Sequence, residues 1–275
     1  MSILKGDRFD ARLEGVRVAS TFTGFCGRHD TELFRPLETQ EFGGTPEQCL
    51  LLAYRAVCRE LYAKQGTLAL ADTLRELDRG RDSEVQREVQ SRIGGVLTGS
   101  SLAVQDLTGL KAAMEAYIFG RDFGSVHGHV ILLDCVPEFM ASAMLNPEYD
   151  FQGRRLQDLG PASDVDWLSF SLIATDTGGA VVFTWLGENR VAEQLVNSLD
   201  TVADADVGHA IVRFTFEMTE NVYASPVWWE GLSADERSQL LRRMRTGGVP
   251  FREPTALLDD GLRLVRWPVN SRRSL

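Results

Sequence analysis

Apolar residues recur at helical spacing through Leu50, Leu51, Tyr54, Val57, Cys58, Leu61 and Tyr62, one stripe along a single element. Thr45 stands ahead of Pro46 with Gln48 three residues on, a capping box with proline at the first helical position, and Gly66 follows the stripe. This pattern predicts a helix over 45–66. A strongly charged helical stretch follows over 67–93, broken at Gly80, and Gly94 and Gly95 punctuate the chain before a further helix predicted over 99–119. Upstream, the alternation over 12–23 predicts a short strand, and "GFCGRHDTELF" (24–34), flanked by Gly24, Gly27 and Pro36, reads as a structured turn.

After Gly124 the period changes. "SVHGHVILLDCVP" (125–137) is β-rich, and "DWLSFSLIATDTGGAVVFTWLG" (166–187) reads as two strands joined at Asp176-Thr177-Gly178-Gly179. Between them, "NPEYDFQGRRLQDLGPASD" is polar and rich in turn formers. Helical patterns return over 188–201, 204–219 and 233–245, and the last thirty residues, with Pro250, Pro254 and Pro268, read as an extended tail packed on the body. A helical N-terminal part, central antiparallel β hairpins and a helical C-terminal part make an α+β protein. The chain is read as one domain over 1–275, with a boundary near 124 as the alternative.

Charge and composition narrow the function classes. Asp and Glu number 39 against 29 Lys and Arg, a net charge of −10, which repels polyanions and speaks against nucleic-acid binding by the free chain. The basic clusters, "RRMR" at 242–245 and "NSRRSL" at the C-terminus, are short. There is no apolar leader and no run of about 18 apolar residues. The four cysteines (26, 49, 58 and 135) include no CxxC. The expectation is a soluble cytoplasmic protein with reduced thiols and no membrane contact. Neither GxxxxGK[ST] nor GxGxxG after a strand occurs, which removes the usual nucleotide sites.

Three segments carry candidate chemistry. Cys26 and His29, at C-x-x-H spacing, offer a metal a thiolate and an imidazole, with Asp30 as a third ligand or as a partner orienting the ring. On a strand, His127 and His129 share a face, so Cys26, His29, His127 and His129 make a chemically sound zinc set. The favoured reading is a turn held by a buried Cys26 and a hydrogen-bonding His29-Asp30, and the expected cofactor is accordingly none or zinc. Cys26 with His29 as thiol and base is weaker, because nothing in the spacing excludes water or lowers the thiol pKa. Glu217, Glu220 and Asn221 fall at i, i+3 and i+4, a pattern usually solvated. Trp228-Trp229 reads either as a ligand platform or as buried anchors.

"TFTGFCGRHDTELFRPLE", "EQCLLLAYRAVCRELYAK", "PEYDFQGRRLQDLG" and "VVFTWL" resemble a group of uncharacterised bacterial proteins over most of the chain. In that group an upstream Cys pair and a Ser-His stretch join C-x-x-H-D in a segment similar to a treble-clef or HNH-like zinc fold. No Cys or His precedes Cys26 here, so the resemblance supplies half of such a site. It implies a bacterial stress or phage-defence setting and no established activity. Separately, Arg121-Asp122 followed by His127 resembles the Arg-polar-x4-His pattern of HEPN ribonucleases.

The leading expectation is a non-enzymatic binding or accessory protein, with a protein partner or a second copy engaged through the Trp-rich C-terminal half. The alternative is a nuclease, either zinc-dependent and HNH-like through Cys26, His29 and Asp30 or HEPN-like through Arg121 and His127.

Overall fold

The computed structural model describes residues 11–15, 24–160, 164–246 and 253–275. Helices α1 (Gly27–Leu33), α2 (Arg35–Glu38), α3 (Pro46–Ala69), α4 (Ala71–Arg75) and α5 (Ser83–Gly120) come first. Strands β1 (Val126–Leu133), β2 (Phe139–Leu145), β3 (Leu168–Thr175) and β4 (Gly178–Leu186) follow, then α6 (Arg190–Asp200) and α7 (Asp204–Met218). A short β5 (Val222–Ala224), α8 (Pro226–Gly231), α9 (Ala234–Thr246) and β6 (Val269–Ser274) complete the order. The strands form one sheet, β5-β2-β3-β4-β1-β6, antiparallel at every pairing. The α+β class read from the sequence is the architecture found.

Alternation along the strands sends side chains to two separate helical layers. On one face Ile131, Leu133, Phe139, Phe170 and Phe183 meet Leu195 and Leu199 of α6 and Ile211 and Phe214 of α7. Phe214 is the hub: its ring centroid lies 5.0 Å from Phe170, 5.4 Å from Phe183 and 5.6 Å from Phe151. On the other face Leu50, Leu51 and Val57 of α3 and Leu107 and Met114 of α5 close over Val126 and Met144, while Cys49 packs with Val130 and Val182. Cys49 and Cys58 are both buried but in different clusters, as their spacing of two and a half turns requires.

The start of α3 forms as the capping signature predicts. The Gln48 N–H donates to Thr45 Oγ1 (3.2 Å), and Gln48 Oε1 accepts the Thr45 N–H (3.3 Å). Gln48 also ties down the preceding loop: Oε1 accepts the Gly43 N–H (2.9 Å), and Nε2 donates to the carbonyls of Pro36 (3.1 Å) and Glu41 (2.9 Å). A buried amide with every donor and acceptor engaged fixes a loop without the cost of an orphaned polar atom.

Several expectations are corrected. Within residues 24–34, Gly27–Leu33 form a helix rather than a turn, and Phe25 and Phe34 on either side of it pack together (ring centroids 5.0 Å apart), drawing α1 onto α3. Gly94 and Gly95 do not interrupt the chain. The 38-residue α5 runs through them, its buried positions Ile93, Ser100, Leu107 and Met114 falling at seven-residue spacing along one seam. The break at Gly80 is real, with φ +79°. Strands β2 and β5 carry no clear pattern, and the tail read as merely extended ends in β6, paired with β1. The strand expected over 12–23 falls largely outside the described residues, and 11–15 are irregular. Between β3 and β4 the expected turn forms at Asp176-Thr177. Gly178 there has φ +157°, and a Cβ would stand 2.1 Å from the Leu133 carbonyl, so only glycine fits.

Candidate interaction surface

The structure places Cys26 and the His127–His129 pair on different faces of the sheet. Exposed Cys26 precedes α1 at its N-cap position, and its carbonyl accepts the Asp30 N–H at 2.9 Å. Asp30 faces Arg55 of α3 at 3.7 Å, so this segment lies on the α3 side of the sheet. The His29 side chain falls outside the described residues. His127 and His129 do share a face of β1, the one carrying Ile131 and Leu133 toward α6 and α7. Among the described residues, no three His, Cys, Asp or Glu side chains converge as a metal would need.

Arg121 and His127 are likewise apart. Arg121 caps α5 in the left-handed conformation (φ +53°) and sits 3.7 Å from Glu47 at the start of α3. His127 lies against Trp185 on the opposite face, ring centroids 6.4 Å apart. Their surroundings include a six-stranded sheet, whereas the fold carried by the HEPN resemblance is helical throughout.

His129 belongs to a different arrangement, which sequence spacing did not reveal. Its side chain is 2% exposed, with Nε2 3.2 Å from Asp200 Oδ1 at the end of α6 and Nδ1 3.5 Å from Ser274 Oγ on β6. The Asp200 contact is at ion-pair distance but not aligned as a hydrogen bond. Burial pushes the His129 pKa below the ordinary histidine value, Asp200 opposes the shift and Arg272 adds to it. The order Ser-His-Asp is that of an acyl-transfer relay, but the amide after the serine, which would hold an oxyanion, donates to the Gly128 carbonyl at 2.8 Å. Arg272 instead makes the cluster a clasp. It donates to the carbonyls of Leu199 (3.2 Å) and Val202 (2.7 Å) and pairs with Asp200 and Asp204, binding β6 to the α6–α7 junction.

The acidic pattern at Glu217 also proves structural. Helix α7 ends at Met218, so Glu220 and Asn221 do not continue its face. Buried Glu217 lies 3.6 Å from Arg243 of α9, while Asn221 Oδ1 accepts from Arg59 of α3. Buried Arg213 reaches Asp259 at 3.1 Å, fastening the segment after α9. Trp228 and Trp229 pack on the main core, and Trp228 Nε1 donates to the Leu264 carbonyl at 3.2 Å, so the pair is an anchor rather than a platform.

One edge of the sheet, the outer side of β5, carries an exposed apolar pair. Met140 and Tyr223 stand directly opposite each other across β2 and β5. Phe139 and Ala141 on either side of Met140 enter the main core, so Met140 points to the α3 face, beyond the helix that covers Met144. Met140 is 38% exposed and Tyr223 37%. The edge is not frayed: Asn221 is held by Arg59 at its start, and the Ser225 N–H donates to the Glu138 carbonyl (2.7 Å) at its end. Among the described residues β5 has no neighbour on its outer side. The sequence signal for this surface is weak, because a three-residue strand has no period to read.

No protein-family model matches this chain, and neither a curated protein nor a solved structure shows significant similarity to it.

Proposed function

We propose that the protein is a non-enzymatic binding module that takes an extended segment of a partner polypeptide along the outer edge of β5. The observation that carries this reading is the exposed Met140–Tyr223 pair beside an unpaired, pinned strand edge. An edge strand offers its outward N–H and C=O groups to any extended chain, which supplies affinity with little dependence on sequence. The thioether and phenol add an apolar contact for alternate side chains of the incoming strand. A net charge of −10 disfavours strongly acidic partners and leaves apolar or basic segments as the class accommodated.

The test is selection of a displayed random-peptide library on the wild-type protein, followed by amide exchange on the selected complex. Enriched peptides should alternate apolar and polar residues, slow exchange at 222–224, and bind Met140→Lys and Tyr223→Lys at least tenfold more weakly. Both substitutions fall on exposed positions and should leave the thermal midpoint nearly unchanged. Failure to enrich any peptide, or binding indifferent to both variants, would overturn the reading. Concentration-dependent self-association lost in the same variants would identify the partner as a second copy.

A further inference from the structure

The segment "PEYDFQGRRLQDLG" builds a second, unrelated feature. Tyr149 and Arg155 form an antiparallel bridge, the Asp150 N–H donates to the Arg154 carbonyl (3.0 Å), and the Leu156 N–H donates to the Glu148 carbonyl (2.8 Å). At its centre the buried Asp150 carboxylate accepts the N–H groups of Gln152 (2.8 Å) and Arg154 (2.9 Å) and, through Oδ2, Arg154 Nε (2.7 Å). The loop is then tied to α6: the Phe151 N–H donates to Ser198 Oγ (3.2 Å), and Gln152 Nε2 donates to Thr201 Oγ1 (2.9 Å). A loop fixed at so many points cannot collapse onto the helix beside it. A cavity of about 320 Å³ remains between them, lined by Asp150, Arg154, Arg155, Leu156, Gln194 and Asn197.

The lining sets two guanidiniums and two side-chain amides beside one compensated carboxylate and Leu156. Asp150 accepts three hydrogen bonds from within its own loop, and its charge is compensated there by Arg154. Arg154 is held through Nε alone, which leaves the Nη end of a pre-oriented fork facing solvent. Arg155 contributes a second guanidinium, steadied by Asp158 at 3.1 Å. Among the described residues, the side chains of Gln194 and Asn197, one turn apart on α6, make no hydrogen bond, so both amide NH2 groups are available. Forked donors beside free amides match the planar or tetrahedral oxygens of an anion. The volume lies at the lower end of small-molecule sites.

We infer that this cavity is a binding site for a small organic anion carrying a carboxylate or a phosphate, independent of the β5 edge. The test is titration calorimetry in low-chloride buffer with succinate, with inorganic phosphate, and with glycerol as a neutral control, which also distinguishes the two anion classes. Binding of one anion tighter than about 10 mM is expected, with no heat from glycerol. Arg155→Gln and Asn197→Ala, both at exposed positions, should each weaken it at least tenfold while leaving the ligand-free melting midpoint unchanged. Absence of binding by either anion, or equal binding by both variants and wild type, would overturn the assignment.

Discussion

His129 Nε2 stands 3.2 Å from Asp200 Oδ1, a histidine enclosed by the fold facing a carboxylate that is still 41% exposed. Because burial outweighs that carboxylate, the folded protein resists protonating His129, whereas the unfolded chain protonates at the ordinary value near 6.5. As pH falls through 6.5 the unfolded state therefore binds the proton first, and stability declines. Urea denaturation between pH 7.5 and 5.5 should show this fall, and His129→Gln should flatten part of it. His209, also lowered chiefly by burial, accounts for part of what remains. An unchanged slope in His129→Gln would contradict the assignment.

Arg272 satisfies the Leu199 carbonyl in the last turn of α6 and the Val202 carbonyl beyond it, and pairs with two aspartates while only 17% exposed. Arg272→Met keeps the length of the stem and deletes the donors. It is expected to cost about 2–4 kcal/mol, since buried carbonyls and a carboxylate cluster lose their partner. A loss below about 0.5 kcal/mol in denaturant titration would show that the clasp is solvated rather than structural.

Gly178→Ala tests the β3–β4 turn. A methyl group there would meet the Leu133 carbonyl at 2.1 Å, and φ +157° is foreign to alanine. Destabilisation of at least about 2 kcal/mol is expected, with far-UV circular dichroism showing whether the sheet survives.

Thiol reactivity should separate the cysteines. Cys26 is exposed, while Cys49 and Cys58 are buried, and burial pushes the Cys49 thiol up to about 12 and raises Cys58 as well. A thiol-reactive disulfide at pH 8 should modify Cys26 rapidly and reach Cys49 and Cys58 only on unfolding. Cys26→Ser should remove the fast phase.

Periodicity and capping made the long elements legible. The stripe from Leu50 to Tyr62 and the box at Thr45 located α3, and Asp176 to Gly179 located the β3–β4 turn. β2 escaped because five of the seven residues of "FMASAML" are Met, Ala or Ser, with little preference for strands, and pairing with β3 and β5 makes it one. The glycines in α5 misled because their local cost is outweighed by a seam that stays in register on α3. Site reading suffered more. Ligand chemistry grouped Cys26 with His127 and His129, but the sheet lies between their layers. The partners that His129 does have, Asp200 and Ser274, are distant in sequence, and no spacing rule reaches them.

Pairing of β6 with β1 also bears on the order of assembly. The contact between His129 and Ser274 spans 145 positions, so loop-closure entropy delays it behind the β1–β4 and β3–β4 ladders. Until it forms, Val130, Ile131 and Leu132 lie along an open strand edge, ready to zip onto the same strand of another molecule. Once docked, Asn270, Ser271 and Arg273 present a polar rim in its place, while Arg272 is turned inward to the clasp. Refolding yield should therefore depend on protein concentration during the slow phase, and β6 is what closes this edge of the finished sheet.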